Sequence, residues 1–269
     1  MRSEFVRSVS TLIYSCLVFL FCLQSIRAER PQPKEQGIWC DQHTKYQLAG
    51  NHKELLVASL RRITGYQELN FSNNGALSLG DPGSISEGSQ MARTILQQVL
   101  NTGSEVVIED HSNSQSVNFG QLDEGTRYED WVTRKNFTIW HVRIDFEDFR
   151  KMQTSPEVQE AFDSGITTLH ELLHSLGHKD PDNFGEVGKC EEVINQVRTE
   201  LSLPVREHYH GVPLIQLSNQ SVIIRVRFRE RLAAKVAKIV RPTRWKTHYL
   251  FFVMALTDES SSALIGLRK

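Results

Sequence analysis

Leu55, Leu56 and Leu60 recur at helical spacing between Asn51 and Gly65, which predicts an amphipathic helix with Asn51 as its cap and Gly65 as its stop. The pattern repeats from Ser89 to Gly103, where Met91, Ile95, Leu96, Val99 and Leu100 make one stripe. The apolar run "SEVVIED" (Ser104–Asp110) reads as a short buried strand. The period then changes to two. In "TIWHVRIDF" (Thr138–Phe146), Trp140, Val142, Ile144 and Phe146 alternate with His141, Arg143 and Asp145, which predicts a half-exposed strand. Its place before the next helix suggests a sheet edge along which an extended peptide could add backbone hydrogen bonds. Polar passages on either side, Ser72–Gly88 and Asp110–Thr138, read as loop.

A helix is expected to begin at Ser155, with Pro156 as its first residue, to continue or restart near Gly165, and to stop at Gly177. Another runs from about Glu191 to Leu201. Near the end, "SVIIRVRFRE" alternates Val222, Ile224, Val226 and Phe228 against Ile223, Arg225, Arg227 and Arg229, with "HYLFFVMAL" (His248–Leu256) as its apolar neighbour. Helices and strands are mixed along the chain, which argues for an α+β domain.

Composition narrows the function classes. The chain has 269 residues, 39% hydrophobic and 23% charged, with a formal net charge of -1, so nothing pulls it globally toward nucleic acid. Residues 1–28 differ from the rest: Arg2 and Arg7 precede an apolar run from Leu12 to Leu23, followed by the small residue Ala28. That is the plan of a secretory signal. The chain is therefore expected to be exported, or held at a membrane if this segment stays uncleaved. Residues 29–50 read as leader and 51–269 as one domain. Outside the signal, Cys40 and Cys190 are the remaining cysteines, and a disulfide between them is expected for an exported protein. From Val222 to His248 nine Lys/Arg stand against the single acid Glu230. The wet face of a strand and helix accounts for them, and contact with an anionic surface is the alternative.

The chemistry concentrates in "TTLHELLHSLGHKDPDNFGE" (Thr167–Glu186). Residues four apart on a helix share a face, so His170 and His174 can offer two imidazole nitrogens to one metal ion. Glu171 between them is placed to act as a general base on water. Zinc with a carboxylate as third ligand is the expected centre. Ile166, Leu169, Leu173 and Leu176 form a separate stripe that anchors the same helix.

Two resemblances extend this reading. The stretch reads H-E-x-x-H-x-x-G-x-x-D, with Gly177 and Asp180 completing it, and so resembles the metzincin pattern, in which the residue at Asp180 returns to the metal. From Glu191 to Tyr209 the chain also resembles bacterial effector-type and toxin-associated zinc metallopeptidases. In those, HExxH precedes an acidic element, here "GEVG" with Glu186, and a helix carrying the positions of Asn195, Arg198, Leu201, Leu203, Pro204, Arg206 and Tyr209. The first resemblance implies Asp180 as third ligand and the second implies Glu186. Glu191, Glu192 and His178 are further candidates. A zincin-like fold, peptide or protein substrates, and a Tyr209 hydroxyl that supports the oxyanion follow as expectations. The rivals are a zinc hydrolase of non-peptide amides and a binding protein that retains the helix alone. His208 and His210 read as solvent-facing.

Overall fold

The structure, a computed structural model, describes residues 37–123, 125–129, 136–218, 221–231 and 245–255. The expected signal segment and the basic residues between 232 and 244 lie outside them. The chain runs β1 (Gly37–Cys40), α1 (Gly50–Thr64), β2 (Asn70–Phe71), β3 (Leu77–Ser78), α2 (Gln90–Asn101), β4 (Glu105–Asp110), β5 (Gly120–Leu122), β6 (Thr126–Glu129) and β7 (Asn136–Ile144). It continues through α3 (Phe146–Lys151), α4 (Pro156–Ala161), α5 (Ser164–Ser175), α6 (Lys189–Glu200), β8 (Val205–Arg206), β9 (Val212–Ser218), β10 (Ser221–Arg231) and β11 (Trp245–Ala255). The mixture is α+β.

The first sheet has the order β1-β4-β7-β5. β1, β4 and β7 run parallel, while β5 and β6 pair antiparallel with the far side of β7. Two expectations change here. The strand at Thr138–Phe146 is interior rather than an edge, because both its sides are paired; β5 and β6 supply the edge from a passage read as loop. Residues 29–50 are also not wholly leader: Gly37–Cys40 is a buried strand, and the compact unit is Gln36–Lys269. Four residues are too few for alternation to show.

α5 sits at the centre, packed against α1, α2, α6, β5 and β7. Its residues from Ser164 to Leu173 are all buried, the polar Ser164, Thr167, Thr168, His170 and Glu171 among them. Small residues permit the closeness. A side chain on Gly165 would bring its Cβ to 2.8 Å from Ile63 Cδ1 of α1. On the opposite side, a Cβ on Gly120 of β5 would lie 2.5 Å from Thr167 Cγ2 and 3.2 Å from Glu171 Cγ. Leu56, Leu60 and Ile63 of α1, Ile95, Leu96 and Val99 of α2, and Leu169 and Leu172 of α5 share one core.

The second sheet is C-terminal, with β10 paired to β11 along its length and to β8 and β9 on its other side. Val222, Ile224, Val226 and Phe228 face inward, onto Val158 and Ala161 of α4, as their alternation predicts. α2 is capped by Ser89 Oγ, which accepts from Ala92 N at 3.0 Å. The cap of α1 is Ala49 rather than Asn51, with no side-chain hydrogen bond.

Glu109 of β4 holds His141 Nδ1 at 2.7 Å and His111 Nε2 at 2.9 Å. Burial alone would raise the Glu109 pKa, but its bonds to His141 and His111 outweigh burial and hold it below the usual range. The bond to Glu109 raises the His141 pKa against the opposing effect of burial. A depressed carboxyl stabilises above its unfolded pKa of about 4.3, and this is lost as pH falls through the folded value; a raised imidazole stabilises below about 6.5, and this is lost as pH rises through its folded value. Both contributions coexist between those limits. His141→Gln is therefore expected to destabilise most near pH 5–6 and less in alkali. Urea midpoints at both pH values check this, and an equal gap at both would refute the coupling.

Candidate metal centre

α5 is fixed at its start by Asp163, whose carboxylate accepts from Ile166 N at 2.9 Å and pairs with Arg62 at 2.7 Å. About two turns later the helix presents His170 and Glu171, and a third turn brings His174. It ends at Gly177, whose φ of +88° is a left-handed turn that favours glycine. That turn brings the chain back over the helix face, and with it Asp180.

The carboxylate of Asp180 meets both imidazoles. His170 Nε2 is 3.2 Å from Oδ1, and His174 Nε2 is 3.1 Å from Oδ2. Oδ1 is buried and makes no hydrogen bond among the described residues. His170, His174, Asp180 and Cys190 form the cluster able to hold a metal among the described residues. Of the four, Cys190 approaches from behind, with Sγ 3.5 Å from His174 Nδ1, the nitrogen turned away from Asp180. That same Nδ1 bonds to His178 O at 3.0 Å. His178 thus acts through its backbone.

Glu186 is not brought to the cluster. Its side chain is exposed and accepts from Asn183 Nδ2 at 3.0 Å, while its backbone carbonyl accepts from Tyr209 N at 2.9 Å. Glu192 is likewise exposed and pairs with Lys189. Glu191 lies close but on the wrong side: its carboxylate is 3.6 Å from His170 Nδ1, not Nε2. It is almost wholly buried and bound by Arg198 and Arg206. Asn195 accepts from Arg198 Nη1 at 2.9 Å and from Arg206 N at 2.8 Å. Asn195, Arg198 and Arg206, three of the positions that carried the second resemblance, therefore form one network with Glu191 behind His170. Orienting a ligating imidazole through its outer nitrogen is the usual task of such a shell.

Tyr209 stacks on His170, with ring centroids 5.6 Å apart and planes 12° apart, and its hydroxyl bonds to Asp180. His210 is tied to Pro181 O at 2.8 Å, so it braces the Asp180 loop instead of facing solvent. Cys40 and Cys190 are both buried free thiols, not a disulfide, and Cys190 Sγ lies against His174 Nδ1 instead.

The electrostatics follow from this crowding. Burial opposes the charge on Asp180, but His170 and His174 hold its carboxyl far below the usual range. Burial would lower the His174 pKa, yet Asp180, Cys190 and the His178 carbonyl outweigh it and push the imidazole up to about 11. Burial raises the Glu171 carboxyl, partly offset by the two histidines and by Leu122 N–H of β5. Burial also pushes the Tyr209 phenol up, with Asp180 adding to it.

Two cavities flank the cluster and share Gly120, Glu171 and Tyr209 on their walls. One, of about 370 Å³, runs along β5 to Trp140. The other, of about 430 Å³, is walled by Phe119 and Phe162 and by Ile224, Phe252 and Met254 of the C-terminal sheet. Comparison with known proteins finds no matching family model, no matching curated protein and no matching solved structure.

Proposed function

We propose that this chain is a zinc-dependent metallopeptidase of zincin-like architecture, with His170, His174 and Asp180 as metal ligands and Glu171 as the general base. One observation carries the reading. Tetrahedral zinc with bonds of about 2.0–2.1 Å places neighbouring donor atoms about 3.3 Å apart. Measured to a single oxygen, Asp180 Oδ2 lies 3.5 Å from His170 Nε2 and 3.1 Å from His174 Nε2, on either side of that spacing. Two imidazoles and one carboxylate are also the donor set of a catalytic zinc site, in which a fourth position stays open.

When bound, such an ion polarises an amide carbonyl and makes water acidic enough to attack near neutral pH. The chain supplies the rest. Glu171 borders both cavities, so it reaches whatever group spans them. It takes a proton from the attacking water and returns it to the leaving amine. Its burial raises its proton affinity, which suits both halves of that exchange. Tyr209 donates its hydroxyl to the developing oxyanion, as a preorganised donor in a partly dry site. β5, antiparallel at the sheet edge beside Glu171, is the strand against which an extended peptide would lie. The signal-like N-terminal sequence supports action outside the cytoplasm.

The ligand set is tested by metal content. Wild type is expected to carry about one zinc per chain. Asp180→Ala is expected to lose it, and Glu186→Ala to keep it. Elemental analysis of dialysed protein decides this: full zinc in the Asp180 variant, or none in wild type, would overturn the proposal.

A further inference from the structure

We propose that the outer face of the C-terminal sheet docks on an anionic lipid surface. The inner face is spent on the core. The outer face is not: of the eleven most exposed large apolar residues among those described, seven lie on β9 and β11. They are not scattered. Ile215, Ile223 and Val253 stand in one cross-strand row, and Ile215 and Val253 are 58% and 57% exposed. Grouped apolar side chains at that exposure mark a contact surface rather than ordinary scatter.

The same face is basic. Arg225, Arg227 and Arg229 project from β10 on the side of Ile223 and opposite the buried Val226 and Phe228. Glu207 is the carboxylate paired there, shared by Arg227 and Arg229. Arg225 lies over the Tyr249 ring at 5.2 Å. By sequence, the thirteen residues joining β10 to β11 carry four further Lys/Arg and no acid. Trp245 and Tyr249, both exposed on β11, are the aromatic types that favour a membrane–water boundary.

Charge complementarity decides the occupant. A second copy placed face to face would bring two arginine rows together with one carboxylate, Glu207, for every three arginines. An anionic bilayer accepts both components at once, since arginine reaches headgroups while aliphatic and aromatic side chains enter the interface. The apolar run from Leu12 to Leu23, read as an export signal or anchor, is in keeping with that occupant. The proposal does not depend on the metal centre.

The full-length chain is tested by co-sedimentation with phosphatidylcholine vesicles, with and without phosphatidylglycerol, at low and high salt. The N-terminal run is common to every arm, so neutral vesicles report its share. Wild type is expected to pellet more with anionic vesicles, and salt is expected to remove the difference. Each arginine removed, as in Arg225→Gln, is expected to weaken binding about fivefold. Ile215→Ser with Val253→Ser is expected to abolish the anionic increment with folding intact by circular dichroism. Equal pelleting on neutral and anionic vesicles overturns the proposal even if a variant misfolds, and leaves the face to an acidic protein. Wild type that is dimeric, and made monomeric by the serine pair, overturns it in favour of self-association.

Discussion

Glu171→Gln is expected to lower peptide cleavage by about 10²–10⁴-fold while zinc content and fold are retained. The substitution isolates one property. Glutamine matches glutamate in shape and still accepts a hydrogen bond from Leu122 N–H, which now reaches the Glu171 carboxylate. It cannot take a proton. Glu171 stands 4.0 Å from His174 Nε2, beside the cluster and not among its ligands, so loss of its charge leaves the donor set whole. Digestion of a mixed peptide library by wild type and variant measures the ratio. Equal cleavage would remove Glu171 from the mechanism. Loss of cleavage together with loss of zinc would make Glu171 a determinant of the site itself.

Arg198→Met is expected to produce the largest loss of stability in the molecule, about 3–5 kcal/mol. Arg198 and Glu191 are each 1% exposed at the side chain. Burial alone would raise the Glu191 pKa, but Arg198, Arg206 and His170 outweigh it and hold the group ionised. Without Arg198 that charge keeps Arg206, at 3.4 Å, and His170 Nδ1, at 3.6 Å, and a buried charge that has lost its main partner is costly. A domain of this size loses roughly 2–4 °C per kcal/mol, so melting is expected to fall by about 6–20 °C. Adding Glu191→Gln is expected to recover part of the loss, because the stranded charge goes with it. No recovery would place the effect in the Arg198 bond to Ala161 O, at 2.7 Å, and not in the ion pair. Zinc affinity is expected to weaken by about 10–100-fold, since Glu191 would no longer be held against His170.

The sequence discloses the helix of His170, Glu171 and His174 because four-residue spacing on an amphipathic pattern is a local property. Asp180 is visible for the same reason: Gly177 marks a turn whose length nearly dictates where the chain returns. Glu186 competes with it on sequence only because a linear pattern does not say which way a loop carboxylate points. Asn183 takes it instead. The network of Glu191, Asn195, Arg198 and Arg206 is half legible. Its members stand in one segment, but its purpose depends on the packing of α6 against α5, which no spacing rule conveys. β1, β5 and β6 escape pattern reading because strands of three or four residues offer too few alternations. β7 misleads for a different reason. Its alternation correctly gives a half-exposed strand, with His141 and Arg143 partly exposed opposite the buried Val142 and Ile144, but alternation does not show that both its edges are paired.

The larger cavity draws its walls from several elements, two of which contrast. His170, Glu171 and Thr167 come from α5, while Ile224, Phe252 and Met254 come from a sheet that contributes nothing to the cluster. Under the proposed function, selectivity and reactivity are therefore written in separate parts of the chain. Changes at Phe252 or Met254 reshape the space offered to a bound side chain without moving a ligand atom, so this scaffold can acquire new preferences while its chemistry stays fixed.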